Sequence, residues 1–268
     1  MPLAVCATPI GNLEDVTLRV LRELAEADVV LAEDTRHTRG LLERHGIRAQ
    51  LLSYHEHNEA KRTAELLPRL QAGERLALVS DAGLPGISDP GARLVAAALE
   101  AGVTVTVLPG PSAVETALVA SGLVGERYQF VGYLPRGERA LIELGEELAG
   151  WRWPVVAFES PRRLPRSLAA LARVVPGRPC AVCRELTKRH EEVALGTVSE
   201  LAERFGEPVR GEVTLVLGAA PPAEASGGAA AAAAVVELVE AGVPRRHAAE
   251  LVSRLTGASR NSLYRGSL

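Results

Sequence analysis

The chain has 268 residues, 47% of them hydrophobic and 24% charged, which is ordinary globular chemistry with enough length for two modest cores. A formal net charge of −3 excludes a polycation, so any nucleic-acid affinity must come from local patches; arginine supplies these, because lysine occurs only as Lys61 and Lys188. No apolar run approaches the roughly 20 residues that cross a bilayer, and "MPLAVCATPIGN" lacks the basic and apolar regions of a secretion signal, so a cytoplasmic protein without membrane contact is expected.

In chain order, strands are predicted at 3–7, 29–34, 50–54, 75–80 and 103–110, each followed by a helical pattern, at 17–27, 38–46, 58–73, 91–102 and 112–122. Short β-rich runs between amphipathic helices predict an α/β domain over 1–122 with a mostly parallel sheet. Ligands of such sheets sit at the carboxyl ends of strands, and three Gly/Pro-rich turns, after residues 7, 79 and 107, lie at such ends. From about Gly125 the rhythm changes. Strands at 128–135, 154–160, 179–186, 191–199 and 211–218, some with no helix between them, predict an α+β domain over 123–220 with antiparallel pairing. Residues 221–228, within "AAPPAEASGGAAAAA", predict a linker, and 229–268 a short helical appendage with two helical patterns.

The stretch "SDAGLPGISDPG" (80–91) sets two Ser-Asp pairs, three glycines and two prolines at a junction for which about two to six residues would suffice. Glycines let backbone approach a ligand and prolines hold a turn open, so a shaped cradle is expected, with Asp89 capping the next helix. In "LPGPSAVETAL", Ser112 is expected to cap its helix and leave backbone N–H groups for a polar ligand. "ATPIGNL" closes the first strand without the dinucleotide fingerprint. "CAVC" holds Cys180 and Cys183 with no second pair at zinc-finger spacing, so these and Cys6 are read as core residues. His55 and His57 in "SYHEHNE" have period-2 spacing and are expected to point the same way on an extended segment, as hydrogen-bonding or substrate-contact groups and not as metal ligands.

Taken together, the words "TPIGNLEDVTLR", "AEDTRHT", "SYHEHNE", "SDAGLPGISDPG", "LPGPSA", "FVGYLPR", "FESPRR", "RELTKRHEE" and "GEVTLVL" run in order through residues 8–217. They resemble the tetrapyrrole-methylase-like family of S-adenosylmethionine-dependent methyltransferases. Within it they resemble a bacterial branch that methylates the ribose 2′-hydroxyl of a decoding-centre cytidine of 16S rRNA, expected to be cytidine 1402. The resemblance implies a two-domain fold with S-adenosylmethionine in the cleft between the domains, a homodimer, and the small ribosomal subunit or its 16S rRNA as partner. It places Asp81, Leu84 and the Ser112-Ala113 backbone beside the cofactor, with Gly11 and Leu13 of the first turn a looser match. From the second domain Phe158-Glu159, Arg184-Glu185, Glu212 and Thr214 would close over adenine and ribose.

Methyl transfer to a hydroxyl needs alignment and somewhere for the proton to go. The candidate acceptors are Glu33 and Asp34 in "LAEDTRHT", Glu159 and Lys188; Asp34 is preferred, with helix capping and pairing to Arg36 or Arg39 as its competing role. RNA contact is expected from Arg36, His37, His55, Arg162, Arg163, Arg189, Arg245, Arg246 and Arg260, and residues 229–268 carry five arginines against three glutamates, consistent with an RNA-docking tail. Two rivals stay open: a C-methyltransferase of tetrapyrrole synthesis or a diphthine synthase-like enzyme, and a non-catalytic RNA-binding protein of ribosome assembly. The former usually show a Gly-rich first turn and a Gly-Asp-Pro word, where this chain has "TPIGN" and "SDAG".

Overall fold

Five short strands, Leu3–Cys6 (β1), Val29–Ala32 (β2), Leu51–Ser53 (β3), Leu76–Val79 (β4) and Val105–Leu108 (β5), pair all-parallel in the order β3-β2-β4-β1-β5. They belong to a computed structural model that describes residues 2–220, 226–256 and 259–267. Helices Leu18–Glu26 (α1), Thr35–Arg44 (α2), Glu59–Gln71 (α3) and Ala92–Glu100 (α4) are the crossovers. Strand alternation sends Leu3, Val5, Leu31, Leu76 and Leu78 to one face, against Leu66 and Leu70 of α3 and Leu94 of α4. Smaller Ala4, Cys6, Ala32 and Ala77 turn to the other face, against Val20 and Leu24 of α1 and Leu41 and Leu42 of α2. Both faces are covered at the central strands β1, β2 and β4, which is why these read as unbroken apolar runs.

The second sheet runs β6-β7-β10-β8-β9, built from Gln129–Tyr133 (β6), Val155–Glu159 (β7), Pro179–Arg184 (β8), Glu192–Thr197 (β9) and Val213–Leu217 (β10). Only β6 and β7 pair in parallel; the other neighbours are antiparallel. Helices Glu138–Ala149 (α6), Leu164–Ala172 (α7) and Val198–Arg204 (α8) cover one face of this sheet through Leu141, Leu168 and Leu201. The opposite face receives Ala113–Ser121 (α5), whose Val114, Ala117 and Leu118 meet Val156, Ala181, Cys183 and Val216. A helix that follows the first sheet in sequence therefore seals the second. Cys180 and Cys183 fall in the cores on opposite sides of β8, so they cannot share a ligand. Buried Arg178 donates to the carbonyls of Leu148, Trp151, Trp153 and Gly218, gathering the end of α6 to the end of β10.

The tail holds three described helices where two patterns are predicted: Ser226–Glu240 (α9), Arg245–Thr256 (α10) and Arg260–Gly266 (α11). Seven residues make too few turns for α11 to show a periodicity of its own. The three pack on one another through Ala231, Val235, Ala248, Ala249, Val252 and Leu263. Of the expected linker, 221–225 lie outside the described residues, and 226–228 open α9. Among the described residues no helix is long and apolar enough to cross a membrane.

Candidate active site

The turns after β1, β4 and β5 are knitted into one wall. Thr8 and Gly83 exchange backbone hydrogen bonds of 2.8 and 3.1 Å, and Thr8 Oγ1 donates to the Ser80 carbonyl at 3.0 Å. Gly83 stands at φ +76°, which glycine adopts without strain. Gly110 comes so near the first turn that a Cβ on it would lie 2.9 Å from the Ala7 methyl. From this wall Asp81 accepts the Asp34 N–H at 3.1 Å, which joins the turn after β2 to the turn after β4.

Glu33, Asp81 and Asp89 form an acidic rim. Burial, then the nearby Asp81, raises the Glu33 carboxyl above its ordinary range. Asp89 is pushed up to about 6 by burial and by Glu33 and Asp81, against a hydrogen bond from Ser80. The expected capping role of Asp89 is not found: α4 begins after Gly91 with no side-chain cap. Instead Glu59 Oε1 accepts the Gly91 N–H at 3.0 Å and the Tyr54 hydroxyl at 3.2 Å, holding the turn from behind. Ser112 likewise caps nothing, because its hydroxyl is bonded to the Glu115 carboxylate. The N–H groups of Ala113 and Val114 are left without acceptors among the described residues.

The second sheet supplies the facing wall. Ile10, Ala82 and Ala113 of the turns share one apolar cluster with Leu186, Phe130 and Phe158, so the two sets of strand ends confront each other. Burial raises the hydroxyl of Tyr133, at the end of β6, and Asp89, Glu212 and Glu33 raise it further. Phe158 is edge-on to Phe130 at 4.9 Å and to Tyr133 at 5.6 Å, a small aromatic set beside buried Thr214.

Several predicted residues have other duties. Asp34, the preferred proton acceptor, caps α2: it takes the Arg36 N–H at 2.8 Å and pairs with the Arg36 guanidinium at 2.7 Å. Those bonds hold its carboxyl far below the usual range, so it is a poor base. Glu159 has no side-chain exposure; it accepts the Ser160 N–H at 2.6 Å and the Ser167 hydroxyl and pairs with Arg163. Lys188 lies between Glu185 (2.9 Å) and Glu212 (2.7 Å); burial works against its charge, but the bonds to Glu212 and Glu185 prevail and hold it protonated. Arg184 is forked onto Glu192 at 2.8 and 2.6 Å. His55 and His57 do not sit on the expected extended segment: residues 56–58 form a turn, and the two rings meet edge-on at 5.8 Å.

Among the expected RNA contacts, Arg36 and Arg163 are spent on Asp34 and Glu159, while His37, Arg162, Arg189, Arg246 and Arg260 are exposed and Arg245 is half-buried. His55 binds Asn58 through Nε2 at 3.2 Å, and its Nδ1 is buried without a partner. Leu84 is half-buried in the cradle; Gly11 and Leu13 instead line an open groove with Thr187–Arg189. Sequence reasoning missed Asp89 and Tyr133 as site groups, although both lie within words that it singled out.

Residues 2–202 match the Tetrapyrrole (Corrin/Porphyrin) Methylases family. Ribosomal RNA small subunit methyltransferase I of Mycobacterium bovis is 46% identical over 267 residues, covering 98% of this chain and 93% of that protein. Its namesake from Thermotoga maritima is 44% identical over 220 residues, which is 80% of this chain and 97% of that protein. The solved structure of uroporphyrin-III C-methyl transferase from Thermus thermophilus complexed with S-adenosyl homocysteine has the same fold (TM-score 0.57, 20% identity, 81% of this chain and 96% of that one).

Proposed function

Because the chain belongs to the tetrapyrrole methylase family, among its ribosomal RNA small subunit methyltransferase I members, we propose that it moves the methyl group of S-adenosylmethionine to the ribose 2′-hydroxyl of a cytidine in 16S rRNA, at cytidine 1402. The observation that carries this reading is the confrontation of the knitted wall at Thr8, Asp81 and Gly83 with the aromatic set of the second sheet across an acidic rim.

The residues fit the cofactor. Unspent N–H groups at the start of α5 suit its carboxylate, and Asp81 with Leu84 lies on the same wall. Phe158 and Thr214, with Glu212 at the mouth, supply a partly apolar face for adenine and ribose. Bound there, S-adenosylmethionine would supply an activated methyl group on a good leaving group. The chain then has to align the hydroxyl, exclude water and take one proton. Asp89 takes it: a carboxyl near 6 is mostly ionised at neutral pH and still basic enough to accept late in the step. Burial, then Glu33, keeps Asp89 in that range, and the Tyr133 hydroxyl orients the approach from the other wall.

The tail docks RNA through Arg245, Arg246 and Arg260, with Arg254 and Arg265 on the same two helices, and none of the five has an ion pair among the described residues. Val107, Val119 and Val124, exposed by 50, 72 and 60% around edge strand β5 and the end of α5, suit the contact of a homodimer. The work is cytoplasmic, on 16S rRNA either free or in the small ribosomal subunit.

The test is transfer from radiolabelled S-adenosylmethionine to unmodified small subunits and to free 16S rRNA, with the labelled nucleoside identified by mass spectrometry. A single 2′-O-methylcytidine is expected. Cofactor binding with no label in either RNA would overturn the reading.

A further inference from the structure

An open groove of about 570 Å³ runs along the seam between the two domains, within the roughly 300–1,000 Å³ of ligand-sized pockets. One bank is the first turn with Arg44 from the end of α2; the other is Thr187–Arg189 between β8 and β9. None of Glu33, Asp81 or Asp89 lines it, so it is separate from the acidic rim.

Both domains build its floor. The Asn12 N–H donates to Thr187 Oγ1 at 3.0 Å, and a Cβ on Gly11 would lie 2.8 Å from the Leu186 carbonyl oxygen. Only glycine lets the banks meet so closely. Across the seam, Glu185 and Thr187 stand at φ +50° and +65°, conformations that non-glycine residues hold only where their surroundings impose them. Here the bonds of Thr187 to Asn12 and of Glu185 to Lys188 and the Glu212 N–H impose them.

The chemistry of the lining selects an anion. Lys188 is held between Glu185 and Glu212, so the cations open to a ligand are Arg44 and Arg189, with Glu14 as the one carboxylate of the lining. Arg189 is exposed and has no ion pair among the described residues. Arg44 is held only by an exposed pair with Glu14 at 3.1 Å, which a phosphate can displace. No aromatic ring lines the groove and Leu13 is its only apolar side chain, so nothing there can stack a base or an adenine. A ligand seated there is bound by its charge and polar atoms.

Resting on the function proposed above, we infer that this groove carries the phosphodiester backbone of the substrate RNA beside the target nucleotide, and that it is complete only while the two domains are closed on each other. Gly11 and Leu13 then serve the RNA side of the enzyme. Contacts of this class fix register without reading sequence, and each phosphate neutralised makes binding more salt-dependent.

The experiment measures binding of a labelled single-stranded RNA containing the target cytidine, across a salt series, to the full chain and to its Arg44→Glu, Arg189→Glu and double variants. S-adenosylmethionine affinity is measured in parallel by calorimetry. The double variant is expected to weaken RNA binding at least about tenfold and to flatten the log–log salt slope by about 1.4, at ~0.7 per phosphate contact, with cofactor affinity unchanged. Unchanged RNA affinity and slope would overturn the inference, and loss of cofactor affinity with RNA binding intact would assign the groove to the cofactor. Gly11→Ala, which wedges the banks apart with both arginines in place, should also weaken RNA binding; wild-type affinity in that variant refutes the dependence on closure. Failure of the parent reading is distinguishable: the wild-type chain would then bind RNA with the same salt dependence and methylate none.

Discussion

Replacing Glu159 separates a structural carboxylate from a catalytic one. Its side chain has no solvent exposure, that of its partner Arg163 is 28% exposed, and the same carboxylate satisfies the Ser160 N–H and the Ser167 hydroxyl. Glu159→Ala strands all three groups. Breaking a buried ion pair from one side costs roughly 3–5 kcal/mol; because Arg163 also donates to the Leu134 carbonyl and keeps some water, the lower end, about 3 kcal/mol, is expected. For a protein of this size each kcal/mol lowers Tm by about 2–4 °C, so the variant should melt about 6–12 °C below the wild type by calorimetry. Glu159→Gln keeps the shape and an acceptor for Ser160, and should retain kcat within about threefold while melting at an intermediate temperature. A Glu159→Gln enzyme with unchanged Tm and kcat lowered about 100-fold or more would refute this account and make Glu159 the proton acceptor.

Asp89→Asn should lower kcat by about 100-fold and flatten the rising limb of the pH–rate profile, which in the wild type climbs through about pH 6 as the carboxyl loses its proton; a variant with the wild-type limb would exclude Asp89. Burial raises this carboxyl above its unfolded value, so between the ordinary carboxylate range and about pH 6 the folded chain binds more protons than the unfolded one. Wild-type stability should therefore fall as pH rises through that window, and in Asp89→Asn urea midpoints should lose that component. Burial also pushes the thiols of Cys6, Cys180 and Cys183 up to about 12, so iodoacetamide at pH 8 should leave the folded protein unlabelled and modify three sites once it is denatured. Removing residues 221–268 should spare the melting of the remainder and its cofactor affinity, since the tail has its own core, and should raise KM for RNA; an unchanged KM would leave the tail without a docking role.

The parallel sheet was legible because helices bury both faces of its central strands, so β1, β2 and β4 announce themselves as apolar runs bounded by turns. Convergence of three turns was legible for the same reason: carboxyl ends of parallel strands share one edge. Individual duties inside those turns were not. Ser112 follows the local rule for a cap, yet Glu115, one turn on, competes for its hydroxyl. Asp89 follows the same rule, yet the N–H it would have served is taken by Glu59, 32 positions away. Asp34 looks like a catalytic carboxylate by position, and Arg36 neutralises it from two residues on. Local sequence ranks such roles evenly, and the nearest partner in three dimensions decides among them.

Where α5 rests determines how the chain can be divided. It is contiguous with the first sheet, yet its apolar stripe lies on Val156, Ala181, Cys183 and Val216 of the second. A fragment ending at Gly122 would carry that stripe into solvent, and its complement starting at Leu123 would present a bare apolar sheet face. Chimaeras that exchange second domains between relatives should therefore take residues 113–122 with them. Two co-expressed halves cut at 122 would find each other through this helix, which makes the chain a candidate for fragment complementation.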